Sequence, residues 1–285
     1  MINLGEHPNL VNMIEANKTY CRYRKFTDET TQNGQKGYVT VREEMNYLVL
    51  EKWENGSLSK YVRATGPFEE LVGRFLFTQL CCAVNFMHSQ EYVHLDIKLD
   101  NILLDKFFNL KLADLGIALC AKDTSKLLAH KRGTNKYMAQ EVMDASTETP
   151  YNVFPADIYA VGVCLHLMLL GTYPQTEEDS EMSTDGDSNG EDNSSTKYSI
   201  SSPNSALWVS DLSNDCKDLL EKLINPDPKK RPTIQEIGEH PWMTQEFPEF
   251  TGEIVYSEMS ERLNVLNQMI QDYSVSLSID MEECS

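Results

Sequence analysis

The chain has 285 residues and a formal net charge of -19, from 25 Lys+Arg against 44 Asp+Glu. Its 41% hydrophobic, 9% aromatic and 24% charged residues are ordinary for a globular chain, which excludes collagen-like, mucin-like and wholly disordered classes. The acidity argues against nucleic-acid and anionic-membrane partners, both of which want a basic face.

The front of the chain reads as β structure. Residues 20–26 and 37–41 flank Asn33-Gly34, a hairpin-turn dipeptide, and residues 46–51 form a further β-rich run. From residue 69 to 89 the pattern changes: Leu71, Phe75, Leu76, Leu80, Ala83, Val84 and Met87 recur at helical spacing with no proline. Residues 156–170 are apolar almost all round, which predicts a helix buried on every side. The longest apolar stretch, residues 159–170, has twelve residues and is too short to span a bilayer. Residues 175–203 are rich in Ser, Asp, Glu, Asn and Gly and lack the apolar surface needed to offset ordering entropy. Residues 214–224 predict an amphipathic helix stopped by Asn225-Pro226, and residues 233–240 a short one before Pro241. In the tail, Met259, Leu263, Leu266, Met269 and Ile270 predict a helix over 257–272. Its expected roles are packing on the chain's own body, or autoinhibition or partner binding. With Arg262 alone among acids it does not suit calmodulin, whose target helices are basic.

Charge is unevenly placed. Residues 175–196 hold eight acids and no base, and residues 244–285 nine acids and one Arg, so these two segments carry -16 of the -19. The insert is expected to be a solvated loop. The seven Cys are odd in number and contain no CxxC pair, and the first residues have no basic start followed by an apolar run. The expectation is reduced thiols, no zinc site and a cytoplasmic, intracellular chain.

The chemistry concentrates in five stretches. His94-Leu95-Asp96-Ile97-Lys98-Leu99-Asp100-Asn101 is followed thirteen residues after Asn101 by Asp114-Leu115-Gly116. Then come Gly133-Thr134 leading into Tyr137-Met138-Ala139-Gln140-Glu141, next Asp157, and last Asp227-Pro228-Lys229-Lys230-Arg231-Pro232. These residue types suit phosphoryl transfer from a metal-bound nucleotide. Such a site needs a carboxylate at the attacking hydroxyl, a cation on the transferring phosphate and oxygen ligands for Mg²⁺. Asp96, Lys98, Asn101 and Asp114 supply that set.

The series closely resembles the eukaryotic protein kinases over about residues 2–243, matching the catalytic loop, the DFG-type metal motif and the APE-type end of the activation segment in order and at family spacing. Lys98 and Thr134 resemble the serine/threonine type, and the body resembles the calcium/calmodulin-dependent group. The resemblance implies an α+β, two-lobe fold with a truncated β small lobe and a mainly helical large lobe. Residues 1–54 would be small-lobe remnant and hinge, 55–243 the large lobe carrying the acidic insert 175–203, and 244–285 the tail. The cofactors implied are ATP and Mg, and the partner a protein substrate. Asp96 would orient the acceptor hydroxyl and take its proton, Lys98 would neutralise the γ-phosphate, and Thr134 would complete the catalytic set. Asn101 and Asp114 would hold Mg²⁺. Glu51, Lys52 and Trp53 would meet adenine through the backbone, with Leu50 behind and Leu103 as floor. Glu141 and Arg231 would form a buried structural ion pair. His94 would pack with Leu115, joined by Ile2 and Met13, rather than act as a base. His7, His88 and His240 are expected at helix ends or on the surface.

The pattern departs from the family in places. Leu95 replaces the Arg that binds an activation-segment phosphate, which puts control through Thr124, Ser125 or Thr134 in doubt; Leu115 replaces Phe and Gln140 replaces Pro. His7-Pro8-Asn9-Leu10-Val11 resembles the junction after the small-lobe helix, so the family's Gly-rich loop and strand Lys would precede Met1. Three readings stay open: a piece of a longer kinase, a catalytically silent interaction module, or a chain completed in trans. Taken alone, the chain is expected to show near-background transfer, and its remaining small-lobe strands to expose an edge and an apolar face.

Overall fold

The computed structural model describes the backbone of residues 4–30, 36–121, 127–174 and 212–283, and the side chains of 4–19, 46–121, 127–174 and 212–273. Ile2, Asn33-Gly34, Thr124, Ser125 and the acidic insert lie outside these residues. The described chain is mixed helix and strand and divides into two compact units, residues 11–52 and residues 1–10 with 53–285.

The smaller unit is an antiparallel hairpin of β1 (Met13–Thr30) and β2 (Lys36–Leu50). The two expected runs 37–41 and 46–51 are joined in one strand. Arg42, Glu43 and Glu44 break the apolar pattern between them but not the ladder, because strand pairing is made by the backbone. At the open end Asn12 and Glu51 close on each other: the Asn12 amide donates to Glu51 Oε1 at 2.7 Å and the Glu51 amide to Asn12 O at 3.2 Å. Ile14 and Leu48 are 68% and 60% exposed on this two-stranded ribbon.

The larger unit starts with residues 4–10, which pack on it rather than on the hairpin. Asn9 is the reason. Its side-chain amide donates to Leu110 O at 2.9 Å and to Gln79 Oε1 at 3.2 Å, while its carbonyl accepts from the Leu112 amide at 2.8 Å. Helix α1 (Leu58–Thr65) buries Leu58, Tyr61 and Val62, the i, i+3, i+4 face, and ends at Gly66, whose φ of +81° suits glycine. Helix α2 (Glu70–Ser89) follows the apolar spacing read from the sequence. The short strands β3 (Tyr92–Val93) and β6 (Leu119–Cys120) pair with each other, as do β4 (Ile102–Leu104) with β5 (Leu110–Leu112) and β7 (Leu127–Leu128) with β8 (Tyr151–Asn152). Helix α3 (Gln140–Met143) is one turn.

Helix α4 (Val153–Leu170) is the centre of the core. It begins three residues before the predicted start. Asn152 caps it by accepting from the Phe154 amide at 3.2 Å, and Pro155 sits in the first turn, where no intrahelical N–H bond is lost. At 18 residues it is long and apolar enough to cross a membrane by length and composition, a correction to the twelve-residue reading, and 72% of it is buried inside the fold. Helices α5 (Asn214–Leu223), α6 (Ile234–Gly238) and α7 (Pro241–Thr244) follow. Ser213 caps α5, and Thr233 with Glu236 forms a reciprocal capping box on α6. Arg74 of α2, 5% exposed, donates to Gln245 O at 2.6 Å and so ties the exit from α7 to the core.

Helix α8 (Thr251–Glu283) is longer than the predicted 257–272. Its first turns pack on α1: Val255 and Met259 are buried, and Arg262 donates to Thr65 O, Gly66 O and Pro67 O at 3.3, 3.0 and 2.8 Å. Thr65 O is one of the carbonyls that the C-terminus of α1 leaves unpaired, and a cation there also meets the negative end of the helix dipole. Farther along, Met269 and Ile270 are exposed, so the predicted apolar seam is covered only in its first half.

Candidate active site

The β4–β5 hairpin and the turn before it build the site. Pairing of Ile102 with Leu112 brings Asn101 opposite Ala113, and the Ala113 amide donates to Asn101 O at 2.8 Å. Asp114 follows directly after Ala113, the residue bonded to Asn101.

Three side chains close a triangle. Lys98 Nζ donates to Asp96 Oδ2 at 2.8 Å and to Thr134 Oγ1 at 2.9 Å, and Thr134 Oγ1 donates to Asp96 Oδ1 at 2.7 Å. Asn101 Nδ2 donates to Asp96 O at 2.8 Å and to Asp96 Oδ2 at 3.2 Å. A carboxylate has about four acceptor positions. Thr134, Lys98 and Asn101 take three of those on Asp96, leaving one. The Asn101 amide is oriented by its two donated bonds, which leaves its Oδ1 as a hard oxygen donor; the Asp114 carboxylate is exposed. This donor set fits Mg²⁺ in chemistry; among the described residues no group of three or more His, Cys, Asp and Glu gathers as a metal site.

The loop is held from behind. Asp157 of α4 is 1% exposed and accepts from the His94 and Leu95 amides, each at 2.8 Å, and from His88 Nε2 at 3.0 Å. Leu95 has φ of +66°, a conformation leucine adopts only under constraint, and the Asp157 bond supplies it. His94 is fully buried. Desolvation depresses its pKa, its Nδ1 accepts from the Asp96 amide at 3.2 Å and its Nε2 meets Ala113 O at 2.9 Å. That is a neutral ring with the proton on Nε2, a structural role as the resemblance implies. Leu115 packs on the main core. Of the rest of the expected stack, Ile2 is outside the described residues and Met13 belongs to the hairpin. Gly133, with φ of +105°, packs against Leu95 O so closely that a Cβ there would clash with it.

Glu141 and Arg231 form a two-pronged pair, with Nη2 to Oε2 at 3.0 Å. Arg231, 6% exposed, also donates to the carbonyls of Asn225 at 2.7 Å and Pro155 at 3.0 Å, so its donors are met. The residues expected near adenine fall as follows. Leu50 ends β2 and Glu51 closes the hairpin. Trp53 belongs to the larger unit with Lys111 Nζ 4.4 Å above its ring, and Leu103 is half-buried in β4, bridged to Ser57. Two functional contacts were missed by sequence reasoning. His88, expected at a helix end or surface, ends α2 but is buried on Asp157. Asp100 accepts from Ser59 Oγ at 2.8 Å and so ties the catalytic turn to α1. Nothing local signals either; Asp157 lies 69 residues from His88 and Asp100 lies 41 from Ser59. His7 stacks on Phe86, and His240 caps α7, as helix-end or surface roles go.

The family model of the protein kinase domain matches residues 1–243, and the chain belongs to this family. It is similar to testis-specific serine/threonine-protein kinase 2 of Mus musculus, 32% identical over 201 residues that cover 69% of this chain and 52% of the relative. Sperm motility kinase 3A of the same organism is 29% identical over 86% of this chain and 40% of its own length. CBL-interacting protein kinase 10 of Oryza sativa subsp. japonica is 33% identical over 85% of this chain and 45% of its own length. The chain thus spans about half the length, or less, of these curated relatives. They do not single out the calcium/calmodulin-dependent group.

Proposed function

We propose that the chain transfers the γ-phosphoryl group of Mg·ATP to serine and threonine hydroxyls of protein substrates. The observation that carries the reading is the Asp96–Lys98–Thr134 triangle with Asn101 bonded to Asp96. A carboxylate, a cation and an amide oxygen in mutual hydrogen-bond reach suit phosphoryl transfer, whereas a silent interaction module has no use for them. The serine/threonine names of the relatives support the choice of acceptor.

Bound Mg·ATP supplies the transferable phosphoryl group. Asp96 orients the acceptor hydroxyl with its remaining lone-pair position and accepts its proton. Lys98 places a positive charge on the transferring phosphoryl oxygens, and Thr134 holds Asp96 and Lys98 in register. Asn101 Oδ1 and Asp114 would hold Mg²⁺, which would neutralise phosphate charge. Trp53 and Leu103 of the larger unit would contact adenine. Free, reduced cysteines at 81, 82, 120, 164 and 216 support an intracellular setting.

The test is Mg·ATP-dependent labelling of a generic protein substrate, with melting of the chain followed in parallel. Whatever labelling the chain shows over background is expected to be lost in Asp96→Asn. A rise in melting temperature with Mg·ATP that shrinks in Asp114→Asn is also expected. Labelling that survives Asp96→Asn overturns the reading.

A further inference from the structure

The segment that meets Asp96 has a charge opposite to that of the chain. Residues 127–140 contain Lys131, Arg132 and Lys136 and not one Asp or Glu, in a chain with 44 acids and 25 bases. All three cations are exposed. Gly133, directly after Arg132, packs against Leu95 O, and Thr134 bonds Asp96 at 2.7 Å, so Arg132 stands at the rim of the site, with Lys131 and Lys136 on the same short segment. Arg132 lines a small cavity together with Asp96, Thr134, Leu95 and Tyr151. Tyr151 Oη in turn reaches His130 O at 3.5 Å, anchoring the segment on its other side. Lys136 Nζ stands 5.1 Å over the Tyr173 ring.

Of the carboxylates on neighbouring elements, Glu141 is paired with Arg231 and Asp100 with Arg63. Asp144 bonds the neutral Gln140 amide and keeps its charge, while Asp157, which lines the cavity with Arg132, is occupied by the His94 and Leu95 amides and His88. A substrate chain laid along Thr134 to reach Asp96 passes Lys131, Arg132 and Lys136.

We propose that the acceptor serine or threonine lies in an acidic segment, and that Lys131, Arg132 and Lys136 select it. The inference rests on the phosphoryl-transfer reading above and names its substrate class. The two fields act over different ranges. The chain's net charge of -19 repels an acidic peptide at a distance, but beyond about 8 Å that repulsion is screened at physiological salt. At the site the three local cations dominate. The selection is thus one of complementary short-range charge, weakened by added salt.

The test uses three labelled peptides of equal length, each with one threonine in an alanine-glycine background and flanked on both sides by glutamate, glutamine or lysine. Binding to the whole chain is read by fluorescence anisotropy, and transfer by Mg·ATP-dependent labelling. The glutamate peptide is expected to bind about three- to tenfold tighter than the glutamine peptide. The lysine peptide is expected to be weakest. The preference disappears in the triple variant Lys131→Ser, Arg132→Ser, Lys136→Ser, all surface changes. Equal binding of the three peptides, tighter binding of the lysine peptide, no binding of any, or a preference unchanged in the triple variant overturns the proposal. Asp96-dependent labelling without glutamate preference sinks this inference and leaves the kinase reading intact. Glutamate-selective binding without Asp96-dependent labelling sinks the kinase reading instead.

Discussion

Asp157 Oδ1 lies 2.8 Å from the backbone amide of Leu95, and that bond holds leucine at φ of +66° one residue before Asp96. The other oxygen takes the His94 amide and His88. An isosteric amide cannot replace this arrangement, because one of its two ends is a donor and would face an N–H. Asp157→Asn is expected to cost about 2–4 kcal/mol. In urea titrations the midpoint should fall with the slope unchanged; a loss below about 0.5 kcal/mol would remove Asp157 as the support of the loop.

The Glu141–Arg231 pair is almost fully desolvated on the arginine side, which has 0% side-chain exposure against 17% for Glu141. Removing one partner strands a buried charge. Arg231→Met and Glu141→Met alone should each cost about 3–5 kcal/mol, and the double variant markedly less than their sum. A double-mutant cycle by chemical denaturation reads the coupling directly, and strict additivity would contradict the burial argument.

His94 sets an acid limit on stability. Its folded pKa is depressed by burial below the ordinary 6.5, and His166 shifts the same way for the same cause. Above pH 6.5 both rings are neutral in either state and the fold has its full stability. As pH falls below 6.5 the unfolded chain binds protons that the folded one refuses, so stability declines until the folded values are passed. The slope is about 1.4 kcal/mol per pH unit for each ring. Denaturation at pH 7.5 and 5.5 should show this loss, and His94→Gln should reduce it; an unchanged slope in that variant would mean that His94 takes up its proton in the folded chain.

Arg262 fastens the first turns of α8 to α1. Its Nη1 also donates to Thr65 Oγ1 at 2.6 Å, and its guanidinium lies 4.6 Å over the Phe68 ring. Arg262→Ala should loosen this end of the helix without unfolding the core. Cleavage after Glu258 and Glu261 by a glutamate-specific protease is the readout, and about tenfold faster cutting is expected. Equal rates would place the anchorage in Met259 and Val255 alone.

Much of this was readable in advance because it is local. Apolar spacing marks α2 and α5, and linear motifs mark Asp96, Lys98, Asn101 and Asp114. The start of α4 was not, since Pro155 reads as a stop unless one knows it falls in the first turn. The unbroken β2 strand was hidden by the charges at 42–44. Arg74 looks like a solvent-face residue on an amphipathic helix, and its carbonyl partner is 171 residues away. The two bonds that brace the catalytic turn, His88 to Asp157 and Ser59 to Asp100, join segments whose nearness only the folded chain creates.

The central helix α4 also has a timing consequence. Its neighbour α2 precedes it in the chain, but Leu223 of α5, which would lie 2.7 Å from a Cβ at Gly162, is made only after the residues 175–211 that separate them. While the chain emerges from the ribosome, one flank of an 18-residue apolar helix is complete and the other stays bare until translation passes residue 223. Apolar surface left bare in this way is aggregation-prone until its partner arrives.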